Sequence, residues 1–222
     1  MSEAHPPRIA LASCTDHPEG LGGETLLPGA LVERGAEAAW AVWNDPDVDW
    51  AAYDLVVVRC TWDYPDHLDG FRAWVQAVAM SCTLVNPPRV ILGNLHKGYL
   101  ADMGDLAVPT VVVPAGMTVD LAALDWPAVV VTPAAGAGGR TVRAATQEDL
   151  DALTLDTAPV DVVVQPLLEG AEHDGEISVV CLGGEPTHAV RRKPAVGELR
   201  VHEHVGGAAE AVPLAPDLAV AA

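Results

Sequence analysis

Apolar positions in the first ninety residues fall into short runs that alternate with amphipathic stretches. Arg8–Ser13 (RIALAS) reads as a buried strand, and Leu55–Cys60 (LVVVRC) is a continuous apolar run of the kind buried on both faces of a parallel sheet. Glu37–Trp43 reads as another strand. Thr83–Val85 is a short fourth, ended by Asn86-Pro87-Pro88. Glu24–Arg34 predicts a helix, with Pro28 near its first turn and Gly35 as its stop signal. Asp66–Met80 carries Leu68, Phe71, Val75 and Val78 at helical spacing and predicts an amphipathic helix. Between these elements, Asn44–Trp50 is a turn-rich loop. Strands alternating with helices indicate right-handed β-α-β units on a parallel sheet.

The pattern changes near His96. Leu95–Leu106 predicts a helix and Thr110–Val113 a strand, and Ala128–Val131 opens a region dominated by strands. One short helix is evident beyond that, around Gln147–Leu153. The expected fold class is therefore α/β followed by α+β. A Rossmann-like parallel domain precedes antiparallel sheets.

With 222 residues, half of them hydrophobic, the chain is a folded globular protein of one domain or two small ones. Its 12 basic and 31 acidic residues leave a net charge of −19, which argues against nucleic-acid backbones or anionic membranes as partners. Cys14, Cys60, Cys82 and Cys181 are scattered without metal-type spacing and read as buried, reduced thiols. The N-terminus has an early acidic residue and an apolar run too short for a signal peptide. No run approaches the ~20 residues of a membrane span. A cytoplasmic protein is expected.

Against this acidic background, Arg191, Arg192, Lys193 and Arg200 form a basic island, followed by Gly206-Gly207. An acidic protein that gathers cations in one place has an anion to hold there, and a nucleoside triphosphate fits. Strand alternation puts Arg191 and Lys193 on one face and Arg192 on the other. The loop from Ala134 to Arg140 (AAGAGGR) is compatible with phosphate cradling and equally with a glycine-rich hairpin turn. It is neither a P-loop nor a dinucleotide fingerprint. His202-Glu203-His204 reads as a solvated strand rather than a metal site.

Ligands of open parallel sheets bind beyond the carboxyl ends of the strands. Two loops occupy that place here, Cys14–Glu19 and Arg59–Tyr64. The second holds Arg59, Trp62, Asp63 and Tyr64, a set suited to a small zwitterion. The same residues also suit a plain structural role, with the aromatics covering the sheet edge and Asp63 capping a turn.

In order along the chain, the segments DLVVVRCTWDYPDHLDGFRAWV, VNPPRVILGNLHKGYL, VVVQPLLEG and GEISVVCLGGEPTHAVRRKPAVGELRVHEHVGG resemble the ATP-grasp superfamily. They are most similar to its glutathione-synthetase-like and ribosomal-protein-modification-like ligases, including the cycloserine-forming branch. The resemblance implies a pre-ATP-grasp domain at 1–95, a lid subdomain at 96–168 and the first part of a C-terminal subdomain at 169–222. It implies ATP as ligand, with Lys97 directed at phosphate, Gly138 and Gly139 in the mobile lid loop, and Gln165, Pro166, Leu167 and Leu168 as the adenine hinge. Glu176 falls near the ribose or substrate edge. Arg192 and Arg200 face the phosphates and the acyl-phosphate as catalytic cations, and Arg59, Trp62, Asp63 and Tyr64 lie where the acceptor binds.

Two departures stand out. Thr132, before Pro133, occupies the place of a phosphate-directed lysine. The family's magnesium ligands lie on strands beyond the segment that ends at Ala222, so Mg²⁺ is expected for the family but no residue here is assigned to it. Three readings follow. The chain is a carboxylate–amine ligase, a degenerate nucleotide-binding or scaffold protein, or a fragment of a longer ligase. The expected partners are a nucleotide and a small amino-acid-like substrate, with a homodimer or partner subunit as a source of missing cover. Taken alone, the chain is expected to turn ATP over slowly, because both departures remove charge stabilisation of phosphoryl transfer.

Overall fold

A computed structural model of the chain describes residues 5–117, 119–139, 142–146, 160–216 and 218. The chain forms two compact units, Met1–Tyr99 with Ala135–Ala137, and Leu100–Ala134 with Gly138–Ala222.

In the first unit, strands β1 (Arg8–Ser13), β2 (Glu37–Val42), β3 (Leu55–Cys60) and β4 (Thr83–Val85) form one sheet of order β2-β1-β3-β4. Every pairing in it is parallel, and Leu11 faces Trp40 on one side and Val57 on the other. The central strands are the apolar ones, and Ala10, Ala12 and Val56 are fully buried.

Helix α2 (Leu68–Ser81) follows the shorter α1 (Leu27–Val32) and lays Phe71, Trp74, Val75 and Val78 into the core. Phe71 is the chain's one phenylalanine. It meets Trp43 edge-on at 5.1 Å and Trp74 at 5.2 Å between ring centroids. Trp50 extends the cluster, 5.2 Å from Trp74. Such pairs contribute about 0.5–1.5 kcal/mol each beyond the area they bury.

Three expected helices differ from the structure, and proline marks where the first two are divided. The run Glu24–Arg34 divides into a 3-10 turn at Gly22–Leu26 and α1, because Pro28 fits only the first turn of an α-helix. Pro65 likewise opens a separate 3-10 turn, Tyr64–His67, ahead of α2. The Leu95–Leu106 helix is absent. Pro88 starts α3 earlier (Pro88–Gly93), and two 3-10 turns follow at Lys97–Asp102 and Gly104–Leu106.

The second unit holds two antiparallel sheets. In one, β5 (Val111–Val113), β6 (Ala128–Pro133), β7 (Arg143–Thr146) and β8 (Val162–Pro166) take the order β5-β8-β6-β7. Strand β8 is paired on both sides, with Val164 opposite Val111 and Val131, which is why Val163 and Val164 are fully buried. Strand β6 outlasts the expected Ala128–Val131, since Thr132 and Pro133 still pair with Val163 and Val162.

The other sheet is β11-β10-β9, from β9 (Glu176–Leu182), β10 (Glu185–Lys193) and β11 (Ala208–Val212). Gly183 and Gly184 join β9 to β10, both at positive φ, as a two-residue type I′ hairpin requires. A short helix α4 (Ala171–Asp174) precedes this sheet. The helix expected around Gln147–Leu153 lies outside the described residues.

All four cysteines are free. Cys14 and Cys60 are buried and Cys82 is half-buried, but Cys181 is exposed beside the hairpin that joins β9 to β10, contrary to the reading of all four as buried thiols. Among the described residues no helix is long and apolar enough to cross a membrane.

Because Phe71 sits at the centre of the aromatic cluster, Phe71→Ala is expected to destabilise the first unit by about 3–5 kcal/mol in urea unfolding. A loss under about 1 kcal/mol would show that the cluster does not carry the core.

Candidate functional site

The charged residues of the second unit converge around the start of β9 and the end of β10. Antiparallel register places Arg192 opposite Glu176. The Arg192 Nη1 lies 3.4 Å from Glu176 Oε1 and donates to Ser178 Oγ at 3.2 Å. Gly175, just before β9, has φ +70°, and a Cβ there would run into the Arg192 carbonyl oxygen. The backbone approach that aligns Glu176 with Arg192 therefore requires glycine.

Arg200 is paired in a different way. Its Nε and Nη2 donate to the two oxygens of Glu198 at 3.1 and 2.6 Å, and the Leu199 and Arg200 amides donate to the same carboxylate at 2.9 and 3.1 Å. The Arg200 guanidinium, helped by those amides, holds the Glu198 carboxyl down at about 2. The pairing raises the Arg200 pKa in turn. A cleft of about 370 Å³ lies beside this pair, lined by His173, Lys193, Pro194, Glu198 and Leu199. Arg191 is half-buried, and its Nε finds no hydrogen-bond partner among the described residues.

The glycine loop between β6 and β7 comes down on the same group. Gly139 has φ +66°, and a Cβ on it would stand 2.7 Å from His202 Cε1, 2.9 Å from His202 Nδ1 and 3.4 Å from Arg200 Cδ. The His202 Nδ1 is enclosed and has no hydrogen-bond partner among the described residues. Burial keeps this imidazole neutral to lower pH than usual. His204, Arg192 and Arg200 add to that effect, and Glu176 opposes it. Gly139, Glu176, Arg192 and Arg200 are thus brought together around His202.

The hinge candidates are only partly available to a ligand. Gln165 Nε2 donates to Thr110 Oγ1 at 2.9 Å, and Pro166 ends β8. The Leu167 amide donates to Ala128 O at 2.9 Å, so that N–H is already used by the sheet. Leu168 is exposed, and its backbone makes no hydrogen bond among the described residues. Gly138 turns at φ +65° in open space. Thr132 is half-buried in β6. Magnesium is the metal that the resemblance implies. Among the described residues no three His, Cys, Asp or Glu side chains come together to hold a metal, so the set present does not fit it.

In the first unit, Arg59 Nη2 pairs with Glu24 Oε1 at 2.8 Å. Asp63 accepts from the buried Trp43 Nε1 at 2.7 Å, and Tyr64 donates its hydroxyl to Gly136 O at 3.3 Å. Trp62 remains exposed. A cleft of about 560 Å³ is lined by Pro18, Glu19, Thr25, Trp40, Asp45 and Tyr53 among others, and by none of these four residues. Burial, reinforced by Glu24, pushes the Cys60 thiol up to about 12, so it stays protonated and unreactive. Lys97 is half-buried, and that burial lowers its pKa. Sequence reasoning missed Glu24 as the partner of Arg59, because nothing local links two residues that far apart in the chain. His202 had a visible signal in the His-Glu-His triplet, read there as solvated.

Residues 96–221, more than half of the chain, match the family described as prokaryotic glutathione synthetase, ATP-grasp domain. The chain belongs to this ATP-grasp family. Residues 9–86 match a second family, the N-terminal domain of D-cycloserine synthetase DcsG. The cycloserine biosynthesis protein DcsG of Streptomyces lavendulae is 27% identical over 165 residues, covering 68% of this chain and 55% of that protein. A glutathione synthetase of Rhodopseudomonas palustris is 28% identical over 176 residues, covering 76% of this chain and 55% of that protein. The ATP-grasp chain thus spans about half the length of these relatives. The crystal structure of D-cycloserine synthetase DcsG shares its fold, with a TM-score of 0.83 at 22% identity over 96% of this chain and 77% of that one.

Two outcomes test the site's geometry. Gly138→Ala and Gly139→Ala both force alanine into the left-handed region, at a cost of about 1–2 kcal/mol. Gly139→Ala is expected to cost more in denaturant unfolding, because only there does the methyl meet His202. Equal losses would show that the contact is absent in solution.

The Glu198 carboxyl, followed by NMR, is expected to titrate at about 2. Its folded value lies below the ordinary one, so its contribution to stability is present above the usual carboxylate range and disappears as pH falls toward 2. In Arg200→Ala the midpoint rises, but the Leu199 and Arg200 amides keep it below an ordinary glutamate. An unchanged midpoint would mean that the guanidinium does not govern it.

Proposed function

We propose that this chain binds ATP and serves a carboxylate–amine ligase that works through an acyl-phosphate in small-molecule biosynthesis. The observation that supports this best is the gathering of the Gly139 loop, Arg192 and Arg200 in one unit of an otherwise strongly acidic protein. In that reaction a carboxylate oxygen attacks the γ-phosphorus, and ADP leaves. An amine then attacks the acyl carbon and expels phosphate. Negative charge grows on the transferring oxygens, and the two guanidinium groups, fixed by Glu176 and Glu198, offer preorganised donors for it.

Within this reading, residues 96–168 are the lid and the segment from 169 onward begins the C-terminal subdomain. Lys97, Gly138 and Gly139 serve the phosphates, Gln165 to Leu168 flank the adenine, and Glu176 lies toward the ribose. With the Leu167 amide engaged, the Leu168 backbone is the hinge group left for the base. The acceptor, a small amino-acid-like molecule, is held by Arg59 and the exposed face of Trp62, with Asp63 and Tyr64 shaping their loop. A second reading, nucleotide binding without turnover, is favoured by Thr132, which offers a neutral hydroxyl where a cation is expected.

Thermal unfolding with ATP, with and without Mg²⁺, tests binding. A ligand at a hundred times its Kd stabilises the folded state by about 2.7 kcal/mol. A rise in Tm that Arg192→Ala and Arg200→Ala each reduce is expected. No rise at millimolar ATP under either condition would overturn the reading. ATP turnover with a panel of carboxylates and amines then separates ligase from binding protein.

A further inference from the structure

The cleft of about 560 Å³ in the first unit has an unusual floor. Trp40, Ala41 and Val42 line it as three consecutive residues of β2. Successive side chains of a strand point to opposite faces, so one cleft meets all three only by running along the strand's edge. Strand β2 is the outer strand of its sheet. The Glu37 and Trp43 amides donate to Pro7 O and Ser13 O along the pairing with β1. Every second residue of a paired strand turns its backbone groups to the same neighbour. The Trp40 amide and carbonyl therefore point the other way, out of the sheet, and find no partner among the described residues.

Walls rise on both sides of this edge. Gly20 lies so close to the Trp40 ring that a Cβ on it would collide with the indole, which ties down the loop carrying Pro18 and Glu19. On the other side, Val48 and Tyr53 pack against the core that holds Ala41. A bare sheet edge invites indiscriminate pairing, and walls of this kind restrict it to a slender, extended chain. Charge restricts it further. Glu19 and Asp45 line the cleft, and no lysine, arginine or histidine does. Asp45 accepts from the Asp47 amide, and Glu19 pairs with no cation among the described residues. Arg8, which lies over the Tyr53 ring, is held by Glu37 at 3.7 Å. A second copy of this chain would bring the same two carboxylates and a net charge of −19, so it is repelled.

We propose that this cleft is a strand-addition site for an extended segment of a partner protein that carries lysine or arginine. The segment's backbone pairs with the Trp40 amide and carbonyl, and its cations meet Glu19 and Asp45. In this mode main-chain bonds supply affinity, and the walls supply specificity. The site is independent of nucleotide binding, which is assigned to other residues.

The test uses the 222-residue chain and eight-residue peptides, by calorimetry and by NMR of the Trp40 amide. A peptide alternating lysine with threonine is expected to bind and to shift that amide. Its counterpart alternating glutamate with threonine is expected not to bind. Two further lysine peptides are N-methylated at every second residue, one in each register. The register that faces β2 is expected to lose at least about tenfold in affinity, and the other to stay near the parent. Glu19→Gln combined with Asp45→Asn is expected to weaken the parent peptide about fivefold, as added salt does.

No binding of the lysine peptide at millimolar concentration overturns the proposal, as does equal binding of the glutamate peptide. Equal binding of the parent and both N-methylated peptides shows that no strand is added, and overturns it as well. If lysine amide alone binds as tightly as the peptide, the cleft takes a small cation instead. Sedimentation showing a dimer that Asp45→Lys dissociates would give the edge to a second copy. The N-methylated peptides leave the protein untouched, so they decide the matter even if the double variant fails to fold.

Discussion

The approach of the His202 ring to Gly139 is the constraint around which the second unit's charges are arranged. A turn between β6 and β7 can be closed by several residue types, but one that rests on an imidazole at this distance admits only glycine. The same contact keeps Arg200 close to the loop, since its side chain lies next in line under Gly139. Arg200 cannot turn away freely, because a bidentate bond to Glu198 holds its planar fork. Loop, ring and guanidinium therefore form one packed group, and a change in any of them is felt by the other two.

In the first unit the comparable role belongs to Trp43. It is buried among Phe71 and Trp74, yet its indole N–H must be satisfied, and Asp63 does this from the loop after β3. One hydrogen bond thus ties that loop to the aromatic core. The Arg59–Glu24 pair holds the end of β3 from another direction. Trp62, between two anchored positions, is left facing solvent with its backbone constrained. A loop fixed at both sides of an exposed aromatic is suited to recognition, because little ordering remains to be done when a ligand arrives.

How much of this was legible in the sequence depends on how local the signal was. Strands β1, β3 and β4 were readable to the residue, since a buried parallel strand is an unbroken apolar run with sharp ends. Helix boundaries were not, because Pro28 and Pro65 reset where an α-helix can begin, and periodicity registers neither that nor the 3-10 turns that replace the helix expected at Leu95–Leu106. Among the site residues, Arg192 and Arg200 stood out as cations in an acidic chain. Of their partners, Glu176 is marked only by the resemblance, as a residue near the ribose or substrate edge, and Glu198 by nothing in the sequence; strand register and a tight turn reveal both as the arginines' partners. His202 was hidden by its own composition. A His-Glu-His triplet looks solvated, and what changes its meaning is a glycine more than sixty positions earlier in the chain.

The carboxylate partners also bear on which anion such a site would accept. With Arg192 held by Glu176 and Arg200 by Glu198, neither guanidinium waits unpaired, and an incoming anion must compete with a carboxylate already in place. A single acetate-like charge exchanges one carboxylate for another and gains little. A polyphosphate differs, since it presents several oxygens at once and accepts from both guanidinium groups without requiring either to abandon its carboxylate. The exposed Arg192–Glu176 pair, longer at 3.4 Å, is the one that yields more readily, and the shorter Arg200–Glu198 pair is the fixed point. In a protein whose net charge repels anions at long range, selectivity then comes from short-range geometry rather than from attraction. Closely spaced oxygens are rewarded, and isolated charges are not.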